Sequence, residues 1–378
     1  MRLFLSALFA AALLIAQVSA AQDEGISLNA KAYVVGHPIT GKVLSSKNAD
    51  VPLPPASLTK LMTVYMLFEA LKNGSITLDT EMAVSEQAWR KEGSKMFVEV
   101  GKTVKVADLI PGILTVSGND ACMVVAEHLG GTEANFATMM TNKAEAIGLQ
   151  NTEFKNSNGW PDEGHLSTAQ DMFTLASRLI RDFPEYYHYF SIPEFTFSNI
   201  RQYNRNGLLR AGVGVDGLKT GHIDDSGYHI VASAQRDGQR YVAVVFGAES
   251  FKAREAEALA GLNWAFANFK TETVLKAGTV VEPAAQTWLG DSETVPLVAT
   301  KDVQILLNRN DKAAVKAELV YSAPIAAPIA KGTEIGRVVV SNAAGEVISL
   351  VPVVTGADVA QVGFLGRVAT YIAHGLGF

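Results

Sequence analysis

The sequence predicts a mixed α/β (α+β) domain over residues 21–268, a small all-β domain over 269–355 and a terminal amphipathic helix over 356–378. Three observations support this. Helix-patterned apolar segments recur between residues 60 and 181, and three strand-rich runs follow them up to residue 247. From about residue 270 the texture changes to short β-prone runs separated by turn residues. At the end, Val362, Leu365, Val368, Ile372 and Leu376 recur at steps of three or four, the period of one helix face.

The elements follow in order. Residues 1–20 read as a secretory signal: Arg2 gives a positive start, Leu3 to Ile15 is apolar, and Val18-Ser19-Ala20 offers the small residues a signal peptidase reads. The apolar run is shorter than the roughly 20 residues a membrane-spanning helix needs, so the mature chain is expected to be exported. Ala32 to Val35 and Lys42 to Leu44 read as strands across a turn at Gly41. Leu61 to Leu71 is apolar nearly all round and ends at Asn73-Gly74, as a buried helix would. Helices are expected at 106–116, 119–130, 133–148, 168–181 and 252–268, and strands at 213–219, 227–235 and 240–247. In the second domain the β-prone runs include Val303 to Leu307, Val315 to Val320, Val338 to Val340 and Val347 to Val354.

Composition narrows the function. Hydrophobic residues make up 48% and charged residues 19%, a globular balance. The formal net charge is −6 and no long basic run offsets it, so no nucleic-acid partner is expected. Cys122 is alone, so no intrachain disulfide can form, and its apolar neighbours suit a buried small hydrophobe rather than a nucleophile. The seven histidines show no metal-ligand spacing, and no metal or other cofactor is expected.

Three short motifs occur in one order: Ser57-Leu58-Thr59-Lys60, Ser117-Gly118-Asn119 and Lys219-Thr220-Gly221. Ser57 and Lys60 stand three apart, so at the head of a helix their side chains share a face. Free N–H groups and the positive helix end there suit a developing oxyanion. A plain N-cap with a solvated lysine fits the same letters. Against that, the helix that follows is so apolar that Lys60 is drawn inward. A serine nucleophile needs a base, and no Ser-His-Asp arrangement is apparent. Lysine can serve once burial and a second cation, here Lys219, depress its pKa into the working range. Gly221 on a strand lets a substrate backbone lie close. The alternative for that tripeptide is a surface turn.

With the sequence around them, these motifs resemble the low-molecular-mass penicillin-binding proteins, the S11 serine peptidases that are D-alanyl-D-alanine carboxypeptidases. The resemblance spans essentially the whole chain, through Pro55 to Met62, Gly93 to Phe97, Ser117 to Cys122, Asn158-Gly159, His165 to Ala169, Asn204 to Leu209 and Lys219 to His222. It implies a serine β-lactamase/DD-peptidase-like catalytic domain. At matching positions it implies that Ser57 is acylated, Lys60 is the general base and Ser117 relays a proton to the leaving amine. Asn119 would hold the substrate amide, and Lys219, Thr220 and Arg205 would meet its carboxylate. The backbone N–H groups of Ser57 and His222 would form the oxyanion hole, with the His222 imidazole a bystander. Peptidoglycan stem peptides and β-lactam antibiotics are the implied partners. The terminal helix would rest on the outer face of the inner membrane, in the periplasm. Gly363, Gly366 and Gly375 weaken that helix and Arg367 is its only Lys or Arg, so packing on the β domain stays open.

Two rivals share these letters. A class A β-lactamase uses the same three motifs plus a deacylating glutamate. Glu153 is the candidate for that role here, though the rest of that enzyme's Glu-x-x-Leu-Asn pattern is missing and a solvated loop carboxylate is the favoured reading. A non-catalytic penicillin- or peptidoglycan-binding scaffold is the second rival, disfavoured because each expected catalytic position holds the expected residue.

Overall fold

The fold is that of a computed structural model, which describes residues 25–309, 315–341 and 345–375. The expected signal at 1–20 and the last three residues of the expected terminal helix lie outside them.

Strands β1 (Ala32–His37) and β2 (Lys42–Lys47) pair antiparallel across the Gly41 turn. The expected helix over Ser57 begins differently: Ala56–Thr59 form a 3-10 turn, and helix α1 (Lys60–Lys72) starts at the lysine. In a 3-10 turn residues three apart are eclipsed, so Ser57 and Lys60 share a face even more directly. The hairpin β3 (Glu81–Ala83) and β4 (Thr103–Lys105) flanks the short α2 (Glu86–Arg90). Then come α3 (Val106–Leu114), α4 (Asn119–Gly130), α5 (Glu133–Ala146) and α6 (Ala169–Asp182), close to the expected segments. Thr132 and Thr168 cap α5 and α6 by accepting the N–H groups of Asn135 and Asp171.

A small hairpin, β5 (Glu194–Phe197) and β6 (Ile200–Tyr203), precedes the three long strands β7 (Val215–Ile223), β8 (Gly227–Arg236) and β9 (Gln239–Ala248). Asp237-Gly238 joins β8 to β9 with both residues at positive φ (48° and 74°), the two-residue turn that matches strand twist. Helix α7 (Phe251–Asn268), capped by Ser250, returns across the sheet.

The five strands form one antiparallel sheet in the order β2-β1-β9-β8-β7. Its two faces feed two cores, as a two-residue period requires. Val34, Val242, Val244 and Phe246 pack with α1, α3, α4 and α6. Val35, Tyr241, Ala243 and Val245 pack with Ala258, Leu262 and Ala265 of α7. Helix α1 is the axis of the first core, buried at ten of its positions including Lys60.

The all-β unit comprises β10 (Phe269–Leu275), β11 (Val280–Trp288), β12 (Thr294–Ala299), β13 (Val303–Asn308), β14 (Lys316–Tyr321), β15 (Ile325–Ala326), β16 (Glu334–Ser341) and β17 (Val347–Thr355). Val338, Val340, Val351 and Val353 alternate into its core. Helix α8 (Phe364–Gly375) starts later than the sequence suggested. Residues 357–362 belong instead to the β unit: Val359 bridges Ile329, Gln361 bridges Gly290, and the Val362 N–H donates to Leu289. Backbone groups committed to those partners cannot also close helical turns.

Candidate active site

The three motifs converge on a cleft of about 510 Å³ lined by Ser57, Ser117, Asn119, Arg205, Thr220, Gly221 and His222, with Gly93, Trp160 and Arg254 among the remaining walls. Each motif arrives from a different element. Ser57 sits in the 3-10 turn ahead of α1, Ser117 in the α3–α4 connection, and Lys219 on the edge strand β7. Ala56 (φ 51°) and Ser117 (φ 63°) both occupy the left-handed region, a local strain that surrounding structure must hold.

Lys60 is fully buried, and its Nζ donates to Ser57 Oγ at 2.9 Å and to the Asn158 carbonyl at 2.6 Å. Asn158 is held in turn by Glu133, whose Oε1 accepts from Asn158 Nδ2 and from the Ser157 hydroxyl, while Lys91 pairs with its other oxygen at 2.6 Å. Burial pushes the Lys60 ammonium down to about 8 from an ordinary 10.5; nearby Cys122 opposes this and Arg205 reinforces it. Arg205 thus joins Lys219, which repels Lys60 in turn, as a cation the sequence reading had not placed beside Lys60.

Lys219, almost wholly buried, donates to Ser117 Oγ at 3.0 Å and to the Thr220 carbonyl at 3.1 Å. Its pKa lies well below the ordinary lysine value, through burial first and then through Lys60, Arg205 and Arg254. Asn119 Nδ2 donates to the Glu92 carbonyl at 2.7 Å, and its own N–H donates to Ser94. Asp120 stitches the opposite wall by accepting the N–H groups of Met96, Phe97 and Val98. Gly221 allows β7 to run close to the Ser57 turn. A Cβ there would lie 3.1 Å from the Pro55 carbonyl oxygen and 3.3 Å from Ser57 N, so the strand or the Ser57 turn would have to give way by a few tenths of an ångström.

Two of the expected residues keep their side chains away from Ser57. Glu153 does not reach the cleft: its exposed carboxylate pairs with Lys155, and its backbone bridges Leu166. A carboxylate held there by a neighbouring lysine does not touch an acyl group on Ser57. The His222 ring stacks on Tyr228 at 4.0 Å with its Nε2 3.6 Å from Asp224, so the imidazole is used for packing at the cleft rim. Cys122 is buried and its thiol is pushed up to about 12, chiefly by burial.

Arg254 was not singled out from sequence. It is fully buried on α7, donating to the carbonyls of Gly221 and Arg205 at 3.2 Å each while its Nε has no protein partner. Nothing in the letters around it marks it, because an arginine inside an otherwise polar helical stretch reads as a surface residue. With Arg205 it brings two guanidinium groups to the cleft wall, Lys219 lies behind Ser117, and, although Asp224 and Asp225 also line the cleft, no ion pair among the described residues joins a carboxylate to Arg205, Arg254 or Lys219. Such a site suits an anionic group that arrives with the ligand.

Comparison with known proteins agrees with this chemistry. The family model described as D-alanyl-D-alanine carboxypeptidase, Peptidase S11, matches residues 16–250, more than half of the chain. A second, for the C-terminal domain of penicillin-binding protein 5, matches 269–361. The D-alanyl-D-alanine carboxypeptidase DacA of Escherichia coli is 38% identical over 355 residues, covering 91% of this chain and 87% of that one. Among solved structures, penicillin-binding protein 5 of Haemophilus influenzae superposes with a TM-score of 0.78 at 38% identity, covering 89% of this chain and 99% of that one. Penicillin-binding protein D2 of Listeria monocytogenes, in its ampicillin-bound form, matches with a TM-score of 0.56 at 32% identity, covering 64% of this chain and 99% of that one. The chain belongs to the S11 family of serine-type D-alanyl-D-alanine carboxypeptidases.

Proposed function

We propose that the cleft removes the terminal D-Ala from peptidoglycan pentapeptide stems by two-step acyl transfer on Ser57. The observation that supports this most is the 2.9 Å hydrogen bond from a fully buried lysine, depressed toward neutrality, to the Ser57 hydroxyl. Neutral Lys60 takes the Ser57 proton as Oγ bonds to the carbonyl carbon of the penultimate D-Ala. The C–N bond to the terminal residue then breaks, and the leaving amine receives a proton through Ser117, which Lys219 holds at 3.0 Å. Water cleaves the ester and returns Ser57 with a tetrapeptide product. Lys219, Thr220, Arg205 and Arg254 meet the substrate carboxylate, and each positive charge there is better accommodated once that anion is bound. Asn119 orients the amide, while the N–H groups of Ser57 and His222 receive the oxyanion.

A β-lactam presents a carboxylate and a strained amide at matching distances, so penicillins would acylate Ser57 as well; the ampicillin-bound relative supports this. For the chain as a whole, residues 1–20 direct export, 21–268 form the catalytic domain and 269–355 the β domain. Helix α8 lies on the periplasmic face of the inner membrane. Phe364, Leu365, Val368 and Ile372 are exposed on it, and no helix among the described residues is long and apolar enough to cross a bilayer. The test is release of free D-alanine from a peptide ending in D-Ala-D-Ala by the mature chain, with Ser57→Ala as control. Release that survives in Ser57→Ala would refute the proposal.

A further inference from the structure

His229 lies wholly buried on β8 and takes no part in the chemistry above. Its hydrogen bonds nonetheless run in one direction toward the nucleophile. The Gly247 N–H on β9 donates to His229 Nδ1 at 2.9 Å. An N–H can only donate, so Nδ1 is the acceptor and the ring proton sits on Nε2. Nε2–H therefore donates to Ser226 Oγ, 2.7 Å away. The Ser226 hydroxyl proton is left for the Pro54 carbonyl at 3.3 Å. Pro54 opens the segment that carries Ser57, two residues ahead of the left-handed Ala56.

The ladder adds a second link. His229 is the register partner of Gly221, the residue of β7 where an added Cβ would crowd the Pro55 carbonyl and Ser57 N. On its other side the segment is clamped by reciprocal backbone bonds between Leu53 and Ser167. Removing the Ser226 hydroxyl takes away the side-chain hydrogen bond that reaches the segment ahead of the strained turn from the β7–β8 side.

We propose that Ser226 and His229 are positioning residues of the acyl-transfer reaction: their one-way hydrogen-bond chain from Gly247 to the Pro54 carbonyl fixes the Ser57 turn against β7. The pair acts on the narrow gap between the Ser57 turn and the Gly221-His222 backbone. Ser226 does not line the cleft, so its loss changes the approach of Ser57 to a bound carbonyl without removing a substrate contact. Burial, with Arg254, His222 and Lys31 nearby, keeps the ring neutral, its pKa lowered to about 3, so the chain keeps its direction across the pH range of the enzyme. Phe246 packs on the imidazole at 4.8 Å and fixes its plane.

The experiment compares the full mature protein with Ser226→Ala and Ser226→Thr. It measures kcat and KM for D-alanine release, the acylation rate with a fluorescent penicillin, and the melting temperature. Misplacing a reacting group by about an ångström costs up to roughly 100-fold; loss of one long hydrogen bond should fall short of that, near tenfold in kcat and in acylation. KM should stay within twofold, and Ser226→Thr, which keeps the hydroxyl, should recover most of the rate. Ser226→Cys, close in volume and a poor donor, replaces the alanine variant if that variant does not fold. The proposal is overturned if kcat stays within twofold of wild type without the hydroxyl. It is equally overturned if the threonine variant loses as much rate as alanine, since packing alone would then explain the loss. A wild-type protein that Ser57→Ala does not inactivate would instead refute the acyl-transfer scheme itself.

Discussion

Raising the pH from 6 to 9.5 carries Lys60 through its titration, and the shape of the acylation rate across that range reads its role directly. The folded-state pKa is about 8, lowered from 10.5 mainly by burial. The neutral, base-competent fraction is then roughly 9% at pH 7, about 50% at pH 8 and about 91% at pH 9. If neutral Lys60 accepts the Ser57 proton, the acylation rate should rise about fivefold from pH 7 to 8 and about 1.8-fold more to pH 9, then level off. A lysine left at 10.5 would instead give about tenfold per unit throughout. Stopped-flow acylation by a fluorescent penicillin suits the measurement, because the drug's carboxylate stays ionised over the whole range. Arg205 is one of the groups that lower Lys60, so Arg205→Ala should move the inflection to higher pH. A rate that is flat between pH 6.5 and 9, or still climbing tenfold per unit at pH 9, would refute Lys60 as the titrating base.

The same burial has a stability signature. Between pH 8 and 10.5 the unfolded chain binds more protons at Lys60 than the folded one, so folding stability rises with pH there, while below pH 8 the full penalty is present. The shift corresponds to about 3 kcal/mol. Lys60→Met should therefore be more stable than wild type at pH 7, with an advantage that shrinks toward pH 10.5; a pH-independent difference in denaturant unfolding would contradict this. Glu153→Gln should leave the deacylation rate of the penicilloyl enzyme within twofold, since the carboxylate pairs with Lys155 outside the cleft; a larger fall would put Glu153 back in the mechanism. Ending the chain at Gly363 should release the protein from membranes with D-alanine release intact, read by sedimentation with lipid vesicles. Ending it at Gly356 should also cost stability, because Val359, Gln361 and Val362 bridge the β unit.

Much of the catalytic unit was legible because local rules and tertiary demands agree. The apolar run at 61–71 is buried whichever way it turns, and Asp237-Gly238 permits little except a tight hairpin. The motif residues Ser57, Lys60, Ser117, Asn119 and Lys219 were visible as letters in order, and the fold brings them to one cleft. Where the terminal helix begins was not legible. The periodic pattern runs on from 357, but backbone groups at 359–362 are claimed by strands far away in sequence. Glu153 shows the converse, a plausible letter whose exposed carboxylate pairs with Lys155 outside the cleft.

The sequence by itself determined the order of elements, the two-part division and the three ordered motifs that hold Ser57, Lys60 and Lys219, because periodicity, turn residues and short motifs are properties of neighbours along the chain. Only the tertiary structure decided that Arg205 adds to the cations around Lys60, that Arg254 reaches the cleft from α7, and that His229 points a hydrogen-bond chain at Pro54. Those features depend on burial and on contacts between residues up to 172 positions apart, from Pro54 to Ser226. Neither quantity exists until the sheet has closed over α1.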